Sequence, residues 1–163
     1  MRAKPTMHEG RHVPPGMCSS EEVTTVTWSL GDKVGALGLR EPVVAGADDS
    51  LRSAAYTLWR ENVGALVVRD GGTVPSGILS ERDVVARAAH GDDLDAVTVG
   101  EAMQTHVIAA RLGDTAHDVA YQMLEHGIRH VPVLDDEGRL VGLVSIRDLL
   151  RPIVAQETPR PPG

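Results

Sequence analysis

The sequence contains no phenylalanine, a single cysteine and very few aromatic side chains. Aromatic residues make up 2% of the 163 residues, although hydrophobic residues as a whole reach 42%. We therefore expect a small core of Val, Leu, Ile, Ala and Met, packed as thin layers of sheet and helix. Because Cys18 has no cysteine partner, a disulfide framework and a thiolate metal cluster are excluded. The lone cysteine favours a reducing, cytoplasmic setting.

Long apolar runs and a surplus of basic residues are also missing. No stretch approaches the roughly 18 consecutive apolar residues of a membrane-spanning helix, and residues 1–18 lack the apolar segment of a secretory signal. The formal net charge of -7 disfavours nucleic acid as the main partner, since proteins that track a phosphate backbone carry excess Lys and Arg. We expect neither a membrane nor a nucleic acid as partner.

The central part of the chain repeats itself at a fixed offset. Asp148 follows Asp83 by 65 positions, and the same offset aligns residues 77–83 (GILSERD) with 142–148 (GLVSIRD) without a gap. It also aligns residues 55–56 with 120–121, both Ala-Tyr. Self-similarity at a fixed period indicates one supersecondary unit used twice.

Each copy predicts the element order β-α-β-β-α. Short apolar pieces at 42–45 and 106–110 precede helices that should begin near Ser50 and Thr115 and end at Asn62 and Gly127. Apolar strands and their returning partners follow, and a last helix begins at Ser80 or Ser145. The predicted strands are 65–68 with 77–79, and 130–134 with 140–144.

The domain organisation follows from this pattern. We predict an α/β fold of the α+β kind, in which two small mixed sheets flanked by helices pack as a pseudo-twofold pair. The units should span 30–90 and 95–153. Residues 1–22, rich in Pro, Gly and charge, are predicted to be a flexible arm, and 156–163 a frayed tail.

The repeated Ser-x-Arg-Asp sequence closes a strand and opens a helix. This places the free N–H groups of a first helical turn beside a hydroxyl and a carboxylate, which suits a nucleotide: the helix N-terminus attracts phosphate and an Asp can accept from ribose hydroxyls. A simpler interpretation is a capping box, which stabilises a helix by about 1 kcal/mol without any ligand. The two roles are compatible, and both remain open at this point.

These motifs resemble a stand-alone pair of CBS domains (cystathionine-β-synthase motifs), and the match covers about residues 30–153. Residues 61–68 (ENVGALVV) with 77–83 resemble the first repeat of small bacterial members. Residues 127–133 (GIRHVPV) with 142–148 resemble the second. The resemblance implies two clefts between the units that bind adenosine-containing ligands: AMP, ADP, ATP, S-adenosylmethionine or NADH. It also implies a homodimer that signals to an effector protein.

The resemblance assigns a role to each candidate binding residue. Ribose and phosphate contacts would come from the two junctions, Ser80, Arg82, Asp83, Ser145, Arg147 and Asp148. Strand residues would hold the base between apolar side chains or read its edge with main-chain groups, and they are Val43, Val44, Ala65, Val107, Ile108, His130, Val131 and Pro132. The first copy has Val67 where the second has Pro132, which puts two equivalent sites in doubt and favours the site at Asp148. Arg129 would meet phosphate there, or is a solvated charge at a strand edge.

Metal binding and catalysis find little support in the sequence. His126 and His130 are four positions apart, but the predicted helix stop at Gly127 lies between them, so no metal site is expected. Trp59 is expected to pack or to contact a second subunit rather than stack on a base. No nucleotide-hydrolysing loop, serine-hydrolase elbow or zinc-protease motif is present, and we predict no catalytic residue and no catalytic cofactor. Two other hypotheses remain: a constitutive scaffold whose motifs serve as caps, and a hydrolase acting on nucleotides.

Overall fold

The computed structural model of the protein describes residues 29–157, with side chains described as far as Arg151. The predicted arm, 1–22, lies outside the described residues. The last helix continues to Glu157, two residues into the predicted tail, and positions 158–163 lie outside the described residues. None of the helices in residues 29–157 is long and apolar enough to cross a membrane.

Two three-stranded sheets form the centre of the molecule, and they have the same topology. In each, the first strand runs parallel to the second and the second runs antiparallel to the third. This confirms the predicted fold class. The first sheet and its helices are β1 (Val44–Ala45), α1 (Leu51–Glu61), β2 (Ala65–Val68), β3 (Gly77–Ser80) and α2 (Glu81–Ala89). The second set is α3 (Val99–Ala102), β4 (Ala110–Arg111), α4 (Ala116–His126), β5 (His130–Leu134), β6 (Leu140–Ser145) and α5 (Ile146–Glu157).

Side-chain caps fix where the two long central helices begin and end. Ser50 accepts a hydrogen bond from the backbone N–H of Ser53 at the start of α1, and Thr115 accepts one from the backbone N–H of Asp118 at the start of α4. Asn62 and Gly127 follow the last turns with φ of 52° and 64°, the left-handed conformation that ends a helix. The predicted helix boundaries are therefore confirmed.

Short segments are exchanged between the two units. A 3₁₀ helix (Val34–Ala36) buries Val34 in the second hydrophobic core, and the corresponding helix α3 buries Val99 in the first. Val34 donates its N–H to the carbonyl of Asp114 at 2.8 Å, and Val99 donates to Asp49 at 2.8 Å. The unit boundaries 30–90 and 95–153 stay a prediction from sequence, but the packing crosses them in both directions.

The first strand of the second unit lies later in the chain than predicted. The expected strand 106–110 begins only at Ala110. In the first unit, the N–H of Val67 donates to the carbonyl of Val43 at 3.0 Å and extends the pairing toward the N-terminus. Pro132 occupies the corresponding position of β5 and has no N–H to donate. The pairing of β4 with β5 therefore begins one position later than the pairing of β1 with β2, at Ala110 and Val133, and Val107 and Ile108 precede the strand rather than belonging to it.

Candidate functional site

A cavity of about 470 Å³ opens at the point where β3 passes into α2. Its wall comes from four parts of the chain: the turn between α1 and β2, the β3–α2 junction, the segment before β4, and the turn between α4 and β5. The two units therefore build it together. The lining residues are Gly64, Ile78, Ser80, Glu81, Arg82, Asp83, Gln104, His106, Ile108, His126, Gly127, Ile128, Arg129 and His130.

Backbone pairing brings the segment before β4 to this place. Ile78 of β3 and Gln104 exchange N–H···O hydrogen bonds of 3.0 and 2.9 Å. This isolated bridge ties the second unit's approach segment to the edge of the first unit's sheet, after which the chain crosses to the second sheet. His106 and Ile108 lie on this crossing and face the cavity as a result.

The carboxylate of Asp83 is held in a defined position at the cavity wall. The N–H and the hydroxyl of Ser80 both donate to Asp83 Oδ2, at 2.8 and 2.6 Å, as in a capping box. Gln104 Nε2 donates to Oδ1 at 3.0 Å. An ionised carboxylate offers about four acceptor positions. Asp83 thus completes the helix start and keeps capacity to accept from a ligand hydroxyl.

The second junction has the same internal hydrogen bonds but does not line this cavity. The N–H and hydroxyl of Ser145 donate to Asp148 Oδ2 at 3.0 and 2.6 Å, and the Asp148 N–H donates back to Ser145 Oγ at 3.3 Å. The capping role predicted for both junctions is therefore confirmed. The sequence favoured the site at Asp148, whereas the cavity described here is built around Asp83.

Cationic and hydrogen-bond-donating side chains dominate the polar wall of the cavity. Arg82 and Arg129 are exposed residues of the wall, and His106, His126 and His130 also line the cavity. Within residues 29–157, no three His, Cys, Asp or Glu side chains are grouped so that they could hold a metal ion. The carboxylates of Glu81 and Asp83 are the acidic groups of the wall.

His130 lies at the contact between the two units. A Cβ built on Gly64 of the first unit would lie 2.7 Å from both Cε1 and Nε2 of the His130 ring, so only glycine allows this approach. Burial lowers the pKa of His130 below its usual 6.5, and the carboxylates of Glu81 and Asp148 partly offset this shift. The nearby guanidinium groups of Arg147 and Arg129 lower the pKa further.

Some of the candidate residues chosen from the sequence line the cavity, and the others lie elsewhere in the fold. Six of them line the cavity: Ser80, Arg82, Asp83, Ile108, Arg129 and His130. Ser145, Arg147 and Asp148 lie at the second junction. Val43 packs against the first core, Val44 is exposed in β1, and Ala65, Val131 and Pro132 are buried in the central strands. Val107 precedes β4 and is not part of the cavity wall.

Several lining residues escaped the sequence analysis. Gln104 precedes the predicted strand 106–110, His106 is its first residue but was not chosen as a binding residue, and His126 was considered only as a metal ligand. Their place depends on the crossing of the chain between units, which no period of two or 3.6 residues reveals. One signal in the sequence was a difference between the copies: the offset of 65 aligns His106 with Glu41 and His126 with Glu61, so that histidines in the second copy correspond to acidic residues in the first.

Comparison with known proteins identifies the class of protein that this duplicated fold defines. The family model for the CBS domain matches twice in tandem, at residues 34–90 and 99–155. The chain therefore belongs to the CBS-domain family and carries a tandem pair of these domains, as the resemblance implied. Its curated relatives include an uncharacterized protein of Methanopyrus kandleri, 28% identical over 119 residues. That match covers 72% of this chain and 61% of the relative, less than two thirds of the relative's length.

Solved structures of CBS domain pairs share the fold, and some contain adenosyl ligands. The pair of protein MJ0100, in complex with 5′-methylthioadenosine and S-adenosyl-L-methionine, is 28% identical with a TM-score of 0.71. The match covers 77% of this chain and 98% of that one. The CBS domain protein PAE2072 from Pyrobaculum aerophilum, complexed with AMP, is 32% identical with a TM-score of 0.67, covering 76% and 99%.

Proposed function

We propose that this protein is a regulatory module that binds an adenosine-containing nucleotide in the cavity at Asp83. The observation that carries the proposal is the meeting of the Ser80–Asp83 junction with side chains of the second unit around one cavity. Two similar CBS domain pairs hold adenosyl ligands, which supports the ligand class. The candidates are AMP, ADP, ATP, S-adenosylmethionine and NADH.

Each part of such a ligand has a counterpart in the cavity wall. Asp83 accepts from the ribose hydroxyls through its remaining lone pairs. Ile108 and Ile128 provide apolar surface for the base. Arg82, Arg129 and the N-terminus of α2 attract phosphate. A volume of about 470 Å³ is within the range of about 300–1,000 Å³ for small-molecule sites.

Regulation follows from the position of the cavity between the units. A ligand that contacts both units binds best to one relative arrangement of them, and it shifts the population toward that arrangement. It also stabilises the folded chain by mass action. An effector protein that recognises this arrangement would then read the ligand concentration.

Titration calorimetry with the five candidate ligands, combined with thermal melting, tests the proposal. Asp83→Ala and Asp148→Ala are a matched pair, because each removes one capping carboxylate and should cost a similar stability of about 1 kcal/mol. We expect Asp83→Ala to lose ligand binding and Asp148→Ala to retain it at the Asp83 cavity. Absence of binding by the unsubstituted protein at millimolar concentration of every candidate would overturn the proposal.

The capping hydrogen bonds favour one alternative, a constitutive scaffold without a ligand. Ser80 and Ser145 both donate to the carboxylates three positions later at 2.6 Å, which is sufficient reason for the repeated motif. Under this alternative both Asp→Ala variants lower the melting temperature equally, and no ligand raises it. The same melting experiment therefore separates the two functions.

Homodimerisation is part of the proposal, and exposed apolar side chains on the helices support it. Both tyrosines and Trp59 are more than half exposed in a chain with few aromatic residues. The exposed positions repeat at the offset of 65, so that a second copy can cover both faces through a closed twofold interface. The three pairs are Tyr56 with Tyr121, Trp59 with Leu124, and Val85 with Leu150.

Sedimentation of a surface variant tests the dimer. Trp59→Lys with Leu124→Lys places two charges on this face without touching either core, and we expect the protein to sediment as a monomer with unchanged helix content. Lysines at Val74 and Val141, exposed in or next to the strands, are the control. A dimer that persists in the helix variant places the interface elsewhere.

The remaining parts of the proposal concern chemistry and setting. We propose a binding protein without a catalytic step, because the repeated junctions carry paired binding groups and no asymmetric catalytic cluster was predicted from the sequence. We also propose that it acts in the cytoplasm, the setting that the lone cysteine favours. Chromatographic analysis of each candidate nucleotide after prolonged incubation with the protein should show only unchanged ligand. Accumulation of a product that depends on Asp83 would establish an enzyme instead.

A further inference from the structure

The chain itself fills most of the acceptor positions of the Asp83 carboxylate. Oδ2 accepts from the N–H and the hydroxyl of Ser80 at 2.8 and 2.6 Å, and Oδ1 accepts from Nε2 of Gln104 at 3.0 Å. An ionised carboxylate has about four acceptor positions in total. About one therefore remains, on Oδ1, whereas the ribose of an adenosine-containing ligand brings two hydroxyl donors. The two hydroxyls together need a second acceptor.

Gln104 carries such an acceptor next to Asp83. A glutamine side chain ends in a planar amide with a donor nitrogen and an acceptor oxygen. The nitrogen of Gln104 donates to Asp83, so the amide oxygen Oε1 lies beside that hydrogen bond. Gln104 is exposed and lines the same cavity as Asp83. An amide oxygen and a carboxylate oxygen side by side suit two neighbouring hydroxyls of one sugar ring.

Backbone contacts hold Gln104 at this place. Ile78 and Gln104 exchange N–H···O hydrogen bonds of 3.0 and 2.9 Å. A Cβ built on Gly77 would lie 2.9 Å from Cγ of Met103 and 3.1 Å from the carbonyl oxygen of Gln104, so glycine lets this segment lie directly against β3. The capping box fixes Asp83 in the same way. Both acceptors are therefore positioned in advance, which lowers the ordering cost of binding.

The second junction has a different residue at the equivalent place. The corresponding bridge pairs Leu143 with Arg40, so that an arginine stands where the first junction has Gln104. A guanidinium group donates hydrogen bonds and cannot accept them. The combination of a carboxylate with a neighbouring amide oxygen is thus particular to the Asp83 side.

We propose that Gln104 and Asp83 recognise the two ribose hydroxyls together: Asp83 Oδ1 accepts from one hydroxyl, and Gln104 Oε1 accepts from the other. This inference rests on the proposed function, and it adds the residue that makes the cavity specific for an intact ribose. Asp83 belongs to the first unit, whereas Gln104 lies in the segment that leads into the second sheet. The sugar is then the part of the ligand that contacts both units at once.

Titration calorimetry with AMP, 2′-deoxy-AMP and 3′-deoxy-AMP tests this assignment, because each analogue lacks one hydroxyl. We expect AMP to bind most tightly and the two analogues to lose affinity unequally. The loss should be roughly tenfold or more for the hydroxyl that the charged Asp83 accepts, and roughly two- to tenfold for the hydroxyl that the neutral amide accepts.

Gln104→Lys separates the two contacts, because lysine keeps an N–H donor for Asp83 and has no acceptor. The smaller discrimination should fall to about twofold or less, while the larger one remains. The added charge acts on the phosphate of all three ligands alike, so the comparison is made between ligands within each variant. Thr105→Ala, at the exposed next residue outside the cavity wall, is the control and should retain both discriminations.

The outcomes distinguish this inference from the proposed function. Equal affinity of the unsubstituted protein for AMP and both analogues overturns the shared recognition of ribose and leaves adenosyl binding intact. Unchanged discrimination in Gln104→Lys also overturns it, as does the loss of both discriminations, since the amide would then act only by holding Asp83. Failure of the unsubstituted protein to bind AMP or any of the other four candidate ligands overturns the proposed function as well.

Discussion

The two halves of the molecule share one backbone but differ in the side chains placed on it. The exchanged contacts occur in pairs: Gly35 donates to Leu112 at 3.0 Å and Gly100 donates to Ala47 at 2.9 Å, again 65 positions apart. Those backbone contacts preserve the strand and helix positions on both sides. The side chains that line the cavity are free of this constraint, and the positions 65 residues before His106 and His126 are glutamates, Glu41 and Glu61.

The largest difference between the cores is at the start of the central helices. Leu51 is fully buried at the position where the second unit has fully buried Ala116. We expect Leu51→Ala to cost about 2–5 kcal/mol, because it removes buried methyl groups and leaves a cavity. Chemical denaturation measures the loss directly.

The same variant tests how independent the two units are. Because each core contains a helix that precedes the other unit, we expect Leu51→Ala to lower hydrogen-exchange protection in β5 as well as in β2, in one cooperative transition. Protection lost in β2 alone would show that the units unfold separately. Ser53→Ala, a substitution at an exposed position of the same helix, is the control and should have an effect within about 0.5 kcal/mol.

An intermediate effect is expected from the close approach of Gly64 to His130. The equivalent of Gly64 in the second unit is Arg129, so the approach exists on one side only. Gly64→Ala places a methyl group 2.7 Å from the imidazole ring and should cost about 1–3 kcal/mol. Urea denaturation measures this cost.

The double variant identifies the cause. His130→Ala removes the ring that the new methyl group meets, so Gly64→Ala should be nearly neutral when it is introduced into that background. A cost that persists in the double variant would have to come from the backbone of Gly64. The steric account would then be wrong.

The smallest expected effect concerns the pH dependence of stability. The pKa of His130 is lowered in the folded protein, chiefly by burial, so the unfolded chain binds more protons as the pH falls below its usual 6.5. Stability should be complete above that pH and should decrease as the pH falls through the folded value. His130→Asn should flatten this dependence in urea titrations between about pH 5 and pH 8. The same substitution at exposed His117 should retain the original slope.

Much of the fold could be predicted because local signals repeat. Ser50, Asn62, Thr115 and Gly127 mark helix ends through their own backbone chemistry, and the buried strands 65–68 and 130–134 are continuous apolar runs. The duplicated junction motif located both final helices. These features depend on residues close in sequence, which is why they could be predicted from a single sequence.

The site was predicted only in part, because its wall depends on contacts between distant segments. Asp83 and Ser80 belong to a local motif and were found. Gln104 and His106 reach them only through the pairing of Gln104 with Ile78, across 26 positions of sequence. The comparison of Val67 with Pro132 favoured Asp148, but Pro132 is buried in β5, where it moves the start of the strand pairing by one position instead of lining the cavity.

The exchange of the 3₁₀ helix and α3 between the cores has a consequence for the gene as well as for the protein. A single repeat cut out of the chain would lack Val99 or Val34 in its own core, and would expose the apolar surface that the other repeat normally covers. Two such fragments would be stabilised by associating with each other, because association buries this apolar surface again. The duplicated chain therefore depends on both repeats, since deleting either copy removes part of the hydrophobic core of the other.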